Sequence, residues 1–478
     1  MSTKILQKAY DSNLFKREGE SLVALISDML EATITSKAKK VTNWVAPEQE
    51  YEFWNTFLDQ KQTTSQLFET VLNRSIQTHN PNYIGHQVAP TVPVSALATL
   101  LSAQLNNGMA IYEMGQASTA IEKVVIQKFI KQIGWNGGDG FLTSGGTLAN
   151  LTGLLAARKA KVQDDVWTNG HSAKLAIMVS EEAHYCVDRA ARIMGLGDQG
   201  ILKIPVDKLY RIRPDVLLRE YEAATQKGLE VFAVIGSAPS TSTGTHDDLE
   251  AIAAFAKAKN IWFHIDAAHG GAAIFSPKYR HVLKGIENAD SVIIDGHKMM
   301  GTSAITTAVL YRNMADSYAT FSQQAQYLWE QNEDPEWYNL AKRTFECTKS
   351  MMSLRFFAIW NAFGDAFFDD FVTTLYDAAR AFSKMIQEAP DFELLLPPES
   401  NIVCFRYIQG VSKDKYDNIN KQLRKMLLED GEFYIVATQL KEGYYLRTTF
   451  MNPFTEEKQM TQLLEKIRVV AISINEQE

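Results

Sequence analysis

The amino-acid sequence predicts an α/β protein: a large domain with a mostly parallel sheet flanked by helices, plus a helical N-terminal segment and a small α+β C-terminal domain. Three observations carry that prediction. The chain has 478 residues, more than a single small core organises. From about Gly140 to Tyr311, short uninterrupted apolar runs alternate with amphipathic helices, the pattern of strands buried on both faces and joined by helical crossovers. On either side the periodicity changes, which sets the predicted domains at 1–90, 91–364 and 365–478.

The first 75 or so residues are rich in Leu, Glu, Lys and Gln, and Leu22, Leu25, Ile26, Met29 and Leu30 recur at helical spacing. His79–Pro93 breaks that pattern with three prolines and a glycine and reads as an irregular loop. Helix resumes over about Ser95–Asn106 and Ala117–Ile133. The apolar runs Lys174–Val179, Val231–Ile235, Ile261–Ile265, Ser291–Ile294 and Thr306–Tyr311 are predicted strands, with Asp247–Lys259 as one crossover helix. Beyond Gly364 a long helix carries Phe367, Phe371, Leu375, Ala379, Phe382 and Ile386 on one face, a stripe for packing against a core. The tail alternates: strand Ile402–Tyr407, helix Lys415–Leu428, strands near Phe433–Ala437 and Tyr445–Phe450, helix Thr455–Ile474.

Composition narrows the function classes. A net charge of −8 leaves no positive surplus to neutralise phosphates, which argues against nucleic acid as a partner. Hydrophobic residues at 46% and charged residues at 22% are ordinary for a globular chain. Nowhere do enough uncharged apolar residues run together to span a membrane. Cys186, Cys347 and Cys404 are far apart, without zinc-ligand spacing, as in a reducing compartment. Met1–Asn13 lacks the apolar stretch of a signal peptide, so a cytoplasmic protein is expected.

Four clusters fall at the carboxyl ends of predicted strands, where open α/β sheets hold ligands. In Thr143-Ser144-Gly145-Gly146-Thr147, just before a helix expected from about Leu148, glycines let backbone N–H groups approach an anion, and a hydroxyl of Ser144 or Thr147 adds a donor. Glu181-Glu182-Ala183-His184-Tyr185 supplies His184, a ring able to stack on a flat cofactor or to serve as a loop hydrogen-bonding group. In His264-Ile265-Asp266-Ala267-Ala268-His269, Asp266 ends an apolar strand, where a carboxylate needs a cationic partner such as a pyridinium N–H. His264, Asp266 and His269 also resemble a metal-ligand set, but His269 lies in the following loop, so metal is the minority reading and none is expected. In Asp295-Gly296-His297-Lys298-Met299-Met300-Gly301, Lys298 sits between apolar neighbours that desolvate its amine, lower its pKa and make it a nucleophile toward an aldehyde. Each cluster alone is weak. Together they supply an anion cradle, a stacking ring, a pyridinium partner and a Schiff-base lysine.

At these residues the sequence resembles the group II pyridoxal-5′-phosphate (PLP) dependent decarboxylases, which include glutamate, cysteine-sulfinate, 2,4-diaminobutyrate and aromatic-amino-acid decarboxylases. The resemblance runs from about His79 to the C-terminus. It is carried by Asp266-Ala267-Ala268-His269 and by Ala289-Asp290-Ser291, then Asp295, His297 and Lys298. It implies a PLP-dependent transferase fold of type I, pyridoxal 5′-phosphate as cofactor, and a homodimer with the site at the subunit interface. By position it implies that Lys298 is the Schiff-base lysine, Asp266 the partner of the pyridine nitrogen, and Ala268 and His184 the groups on the two ring faces. Gly146, Thr147, Ser291, Asp295 and His297 match positions around the phosphate, and Thr241 one near the cofactor oxygen. Asp295 departs from the asparagine of many relatives, and a carboxylate beside a phosphate has to be protonated or turned aside. Tyr327 resembles the mobile-loop tyrosine that protonates the product carbon, and Arg447 the arginine that holds the substrate carboxylate. The basic pair usual after that loop is reduced to Lys349-Ser350.

The expected activity is therefore decarboxylation of an L-amino acid to its amine. His86 and Gln87 are candidate contacts to a polar substrate side chain, and Tyr112-Glu113 resembles the decarboxylases of acidic amino acids. Ser118-Thr119-Ala120-Ile121-Glu122 resembles the diaminobutyrate and aromatic branches instead, and the reading leans toward a small polar or acidic substrate. The rivals are an aldehyde-forming oxidative decarboxylase, an aminotransferase or a carbon–carbon lyase on the same fold, an inactive PLP-binding subunit, and a metal hydrolase. Tyr327 favours plain decarboxylation, and retention of Lys298, Asp266 and Tyr327 argues against an inactive subunit.

Overall fold

Seven strands form the larger sheet: β1 Asp139–Thr143, β2 Lys174–Ser180, β3 Ile201–Ile204, β4 Leu229–Ser237, β5 Trp262–Asp266, β6 Ser291–Asp295 and β7 Thr307–Tyr311. Their order is β1-β7-β6-β5-β4-β2-β3. The pairs β2–β3, β2–β4, β4–β5 and β5–β6 are parallel, and β7 runs antiparallel to both β1 and β6. Six strands therefore point the same way, and the carboxyl ends of β1, β2, β4, β5 and β6 share one edge. The computed structural model describes residues 3–35, 37–321, 336–410 and 412–475.

The five apolar runs recognised in the sequence are β2, β4, β5, β6 and β7, each within two residues of its predicted bounds. The sequence did not disclose β1 or β3. β1 begins with a fully buried carboxylate, Asp139, which the fold accommodates by pairing it with Lys123 at 2.9 Å and Arg343 at 2.7 Å. Its second residue, Gly140, leaves space for the backbone of Val309 on β7. Helix Gly146–Lys161 packs on the sheet through Ala149, Leu154 and Ala157, against a core that includes Ile177, Val179, Ile235 and Ile293. Each such large aliphatic side chain removed from water contributes about 1.5–3 kcal/mol.

The chain divides into two compact units. The larger comprises Gln87–Arg380 and Leu396–Ile402 and contains this sheet; the smaller comprises Met1–His86, Ala381–Leu395 and Val403–Glu478. In the smaller unit the N-terminal helices Lys4–Ala9, Ser12–Ile34, Pro47–Asp59 and Thr64–Arg74 occur where helix was expected. Their segment is joined to the C-terminal part by backbone hydrogen bonds, Val41 N–H to Gly431 O at 2.8 Å and Ile84 N–H to Tyr434 O at 3.0 Å. A second sheet has the order β10-β11-β9-β8, where β8 is Phe392–Leu394, β9 Ile402–Tyr407, β10 Val436–Leu440 and β11 Gly443–Thr449. Helices Tyr416–Asp430 and Glu457–Asn475 complete it. Among the described residues no helix is long and apolar enough to cross a membrane.

Candidate active site

A cavity of about 300 Å³ opens at the shared carboxyl edge of the larger sheet, within the size range of small-molecule and cofactor sites. Gly146, Thr147, His184, Thr241, Asp266, Ala268, Asp295, His297 and Lys298 all line it, so five separate strand ends bring the predicted groups together. Ser291 is the exception and corrects the sequence reading. It starts β6 rather than ending it, is fully buried, and its Oγ bonds Trp262 Nε1 at 2.8 Å and His264 Nδ1 at 2.7 Å.

Lys298 follows β6 in a turn whose next residues, Met299 and Met300, are fully buried. Its Nζ lies 3.1 Å from Asp295 Oδ2. The expected lowering of the amine pKa is reversed here. Burial does pull the amine down, but the carboxylates of Asp295 and Asp266 outweigh it and hold Lys298 above the ordinary lysine value. Asp295 is not turned away from the glycine loop. A Cβ placed on Gly146 would stand 3.3 Å from both of its carboxylate oxygens. Its Oδ1 accepts from Thr307 Oγ1 at 2.5 Å, and His297 Nε2 is 3.6 Å from Oδ2.

Asp266, the last residue of β5, accepts from Ala268 N–H at 3.1 Å and from Asn150 Nδ2 at 3.0 Å. His184 caps helix Tyr185–Ile193, its Nδ1 accepting from Cys186 N–H at 3.3 Å. Burial is the main force holding the His184 imidazole below its usual pKa, with Lys298 adding to it, although Asp266 and Asp295 pull the other way. The ring is therefore neutral at pH 7. His264 is fully buried and hydrogen-bonded to Asn150 and Ser291, and His269 Nε2 lies 2.7 Å from Asn401 Oδ1. Among the described residues no cluster of three His, Cys, Asp or Glu side chains could hold a metal ion.

The glycine loop enters helix Gly146–Lys161 through Gly145, whose φ of +95° suits glycine. With no side chain at the cap, the first-turn N–H groups open onto the cavity and favour an anion. Ser144 also lines the cavity, but its hydroxyl donates to Glu346 Oε1 at 2.5 Å, and Thr143 Oγ1 donates to Oε2 at 2.7 Å. Lys349, the remnant of the expected basic pair, is buried beneath β1. Its Nζ bonds Glu122 Oε1 and Leu142 O, each at 2.5 Å, while Leu142 N–H donates to Glu122 Oε1 at 2.9 Å.

The candidate substrate contacts fall differently. Gln87 belongs to the larger unit, and its Nε2 is buried without a hydrogen-bond partner. Arg447 lies on β11 of the smaller unit, opposite Val436, and burial lowers its pKa. His86, in the same unit, is held below its usual pKa by desolvation and then by Arg447 and Arg424. Tyr112 and Glu113 start helix Tyr112–Ile133, and Tyr112 N–H donates to Asn339 Oδ1 at 3.0 Å. Tyr327 lies outside the described residues. Sequence reasoning missed Asn150, Cys186, Thr307 and Glu346. For Asn150 a signal existed, since a residue four after Gly146 shares its helix face.

These residues fit pyridoxal 5′-phosphate. The open helix start could take a phosphate, the buried amine of Lys298 an aldehyde, and the carboxylate of Asp266 a protonated ring nitrogen. Gly146 keeps the approach clear where a Cβ would crowd Asp295 and come within 3.6 Å of Ala268 Cβ.

The chain belongs to the pyridoxal-dependent decarboxylases, whose conserved-domain model matches residues 47–408. It is a PLP-dependent carboxy-lyase acting on an amino acid. It is 30% identical over 367 residues to the L-aspartate decarboxylase of Metarhizium robertsii, covering 76% of this chain and 73% of that one. It is 28% identical over 421 residues to the aromatic-L-amino-acid decarboxylase of Bacillus atrophaeus, covering 87% and 86%. The crystal structure of mouse CSAD has the same fold, with a TM-score of 0.89 at 24% identity over 96% of this chain and 99% of that one.

Proposed function

We propose that the enzyme decarboxylates a small acidic L-amino acid, of the aspartate or cysteine-sulfinate kind, to the amine and carbon dioxide. The observation that carries the substrate class is the coupling of His86 to both Arg447 and Arg424. The two guanidinium groups, Arg447 and Arg424, give that environment positive charge, which suits a substrate with a second acidic group. The similarity to an L-aspartate decarboxylase agrees with this reading.

Bound PLP supplies an electron sink for the bond between Cα and the departing carboxylate. Lys298 would hold the cofactor through its Nζ, and Asp266 would keep the proton on its ring nitrogen. Ala268 and His184 would flank the ring, the neutral imidazole stacking without competing for Asp266. Gly146, Thr147 and His297 would hold the phosphate, Asp295 would hold the Lys298 amine, 3.1 Å from its Oδ2, and Thr241 would stand by the cofactor oxygen. Arg447 would orient the substrate by its carboxylate, with His86 and Gln87 toward its side chain. Tyr327 would deliver a proton from its phenol oxygen to Cα, with His184 as the alternative donor.

Exposed apolar side chains support a homodimer: Ile5, Tyr10, Tyr51 and Leu58 in the smaller unit, and Leu97, Leu100, Leu101 and Leu105 on one helix of the larger. Cys186, Cys347 and Cys404 form no disulfide, which fits a cytoplasmic enzyme. The test is to incubate the protein with aspartate, glutamate, cysteine sulfinate, 2,4-diaminobutyrate and the aromatic amino acids, measuring amine, carbon dioxide and hydrogen peroxide. Turnover of an acidic substrate without peroxide is expected. Preference for an aromatic substrate would refute the substrate class, and stoichiometric peroxide the reaction. Lys298→Ala should lose both the visible absorption of bound cofactor and all turnover, and keeping both would overturn the site.

A further inference from the structure

We infer that Asn150, His264 and Ser291 form a one-way hydrogen-bond relay, anchored by Trp262, that positions Asp266 toward the ring nitrogen of the cofactor; the inference rests on the role proposed above for Asp266. The directions follow from which atoms can only give and which can only take. An ionised carboxylate only accepts, so Asn150 turns its amide nitrogen to Asp266 Oδ2 at 3.0 Å. Its other N–H reaches Cys186 Sγ at 3.2 Å. The amide oxygen is then left facing His264 Nε2 at 2.9 Å and can only accept, so Nε2 carries the hydrogen. Burial keeps this imidazole neutral, pulling it down to about 4. Its Nδ1 therefore offers a lone pair, and Ser291 Oγ donates to it across 2.7 Å. Ser291 Oγ in turn accepts the indole N–H of Trp262 at 2.8 Å, a group that only donates.

Two further features fit a built relay. Exposure is 1% at Asn150, 2% at Trp262 and 0% at both His264 and Ser291, so water does not compete for these bonds. Gly153, on the same helix as Asn150, leaves room for the ring, since a Cβ there would stand 2.6 Å from His264 Cε1 and 2.9 Å from Nδ1. Helix Gly146–Lys161, β5 and β6 thus each contribute, and every dipole in the chain points its positive end toward Asp266. Without the Ser291 hydroxyl, His264 is free to move its hydrogen to Nδ1. Asn150 then turns its amide to satisfy Nε2 and presents oxygen to the carboxylate.

The experiment measures the PLP dissociation constant of the apoprotein by titration, together with the visible spectrum of the bound cofactor and the melting temperature of the apo form. Ser291→Ala, His264→Phe and Asn150→Leu are expected to weaken PLP binding about tenfold each, the loss of a hydrogen bond to a charged group. Ser291→Thr, which keeps the hydroxyl, should restore the affinity lost in Ser291→Ala. Asp266→Asn separates the two levels of the argument. If it weakens PLP while Asn150→Leu and Ser291→Ala bind like wild type, the relay is overturned and the role of Asp266 stands. If Asp266→Asn itself binds like wild type, that role fails and the relay with it. A lower apo melting temperature with unchanged affinity and spectrum in the relay variants would mark mere packing and also overturn the inference. Should His264→Phe not fold, the Ser291→Ala and Ser291→Thr pair decides the matter.

Discussion

Lys349→Met asks how firmly the end of β1, and hence the start of the glycine loop, is held. The Lys349 amine is buried and makes two bonds of 2.5 Å, to Glu122 Oε1 and to Leu142 O, just before Thr143 and Ser144. Methionine fills nearly the same volume, so the change removes a charge with little cavity. What it leaves is the Glu122 carboxylate, 1% exposed, with Oε2 already lacking a hydrogen-bond partner. Stranding one member of a buried pair costs about 3–5 kcal/mol. For a unit of about 300 residues, that cost lowers the melting temperature by about 5–8 °C. Glu122→Gln in the same chain neutralises the stranded charge and keeps an acceptor for Leu142 N–H, so the double variant should recover most of the loss. Thermal melting of the wild type, both single variants and the double variant checks this. The reasoning is refuted if Lys349→Met melts within about 1 °C of wild type, or if the double variant is no more stable than Lys349→Met.

Two other expectations are simpler to state. Burial disfavours the Glu399 carboxylate, yet His246 and Arg211 outweigh it and bring the pKa from 4.5 down to about 2. Because the folded value lies below the unfolded one, this stabilisation is complete above pH 4.5 and lost as pH falls toward about 2. Glu399→Gln should therefore flatten the fall in melting temperature between pH 5 and pH 3, and an unchanged slope would count against the assignment. Gly153→Ala drives a methyl into the His264 ring, with gaps of 2.6 Å and 2.9 Å where van der Waals contact needs more. About 1–3 kcal/mol of destabilisation is expected, visible in urea unfolding, along with weaker PLP binding.

Much of the fold was legible because β2, β4, β5, β6 and β7 are buried on both faces and are written as unbroken apolar runs. β1 was not legible, because Asp139 and Gly140 are poor strand residues whose presence is explained only by Lys123, Arg343 and the backbone of Val309. β3 is a four-residue edge strand, too short for an alternation to register. In the site, the residue types with one evident chemistry that local sequence could single out, the Lys298 amine, the Asp266 carboxylate and the glycine loop, line one cavity. The sign of the Lys298 pKa was missed because it depends on the 3.1 Å approach of Asp295, a distance no local pattern encodes. Ser291 was misplaced because a motif gives spacing along the chain, while a strand carries its first residue to the end far from its last. Asn150 and Thr307 do their work through partners far away in sequence, Asp266 and Asp295.

The chain of bonds from Trp262 to Asp266 also bears on heredity. Its members cannot be exchanged one at a time by size or hydropathy, because what each must preserve is a direction. Asn150→Asp keeps the shape yet sets one acceptor against another, and Ser291→Ala keeps the packing yet frees the tautomer of its neighbour His264. Variants that pass by two compensating changes must first survive one that reverses the order. Drift at these five positions, four of them buried, is thus expected to be slow for a reason that volume alone does not supply, and a substitution found at one of them in another lineage is a prompt to look for its counterpart at the next.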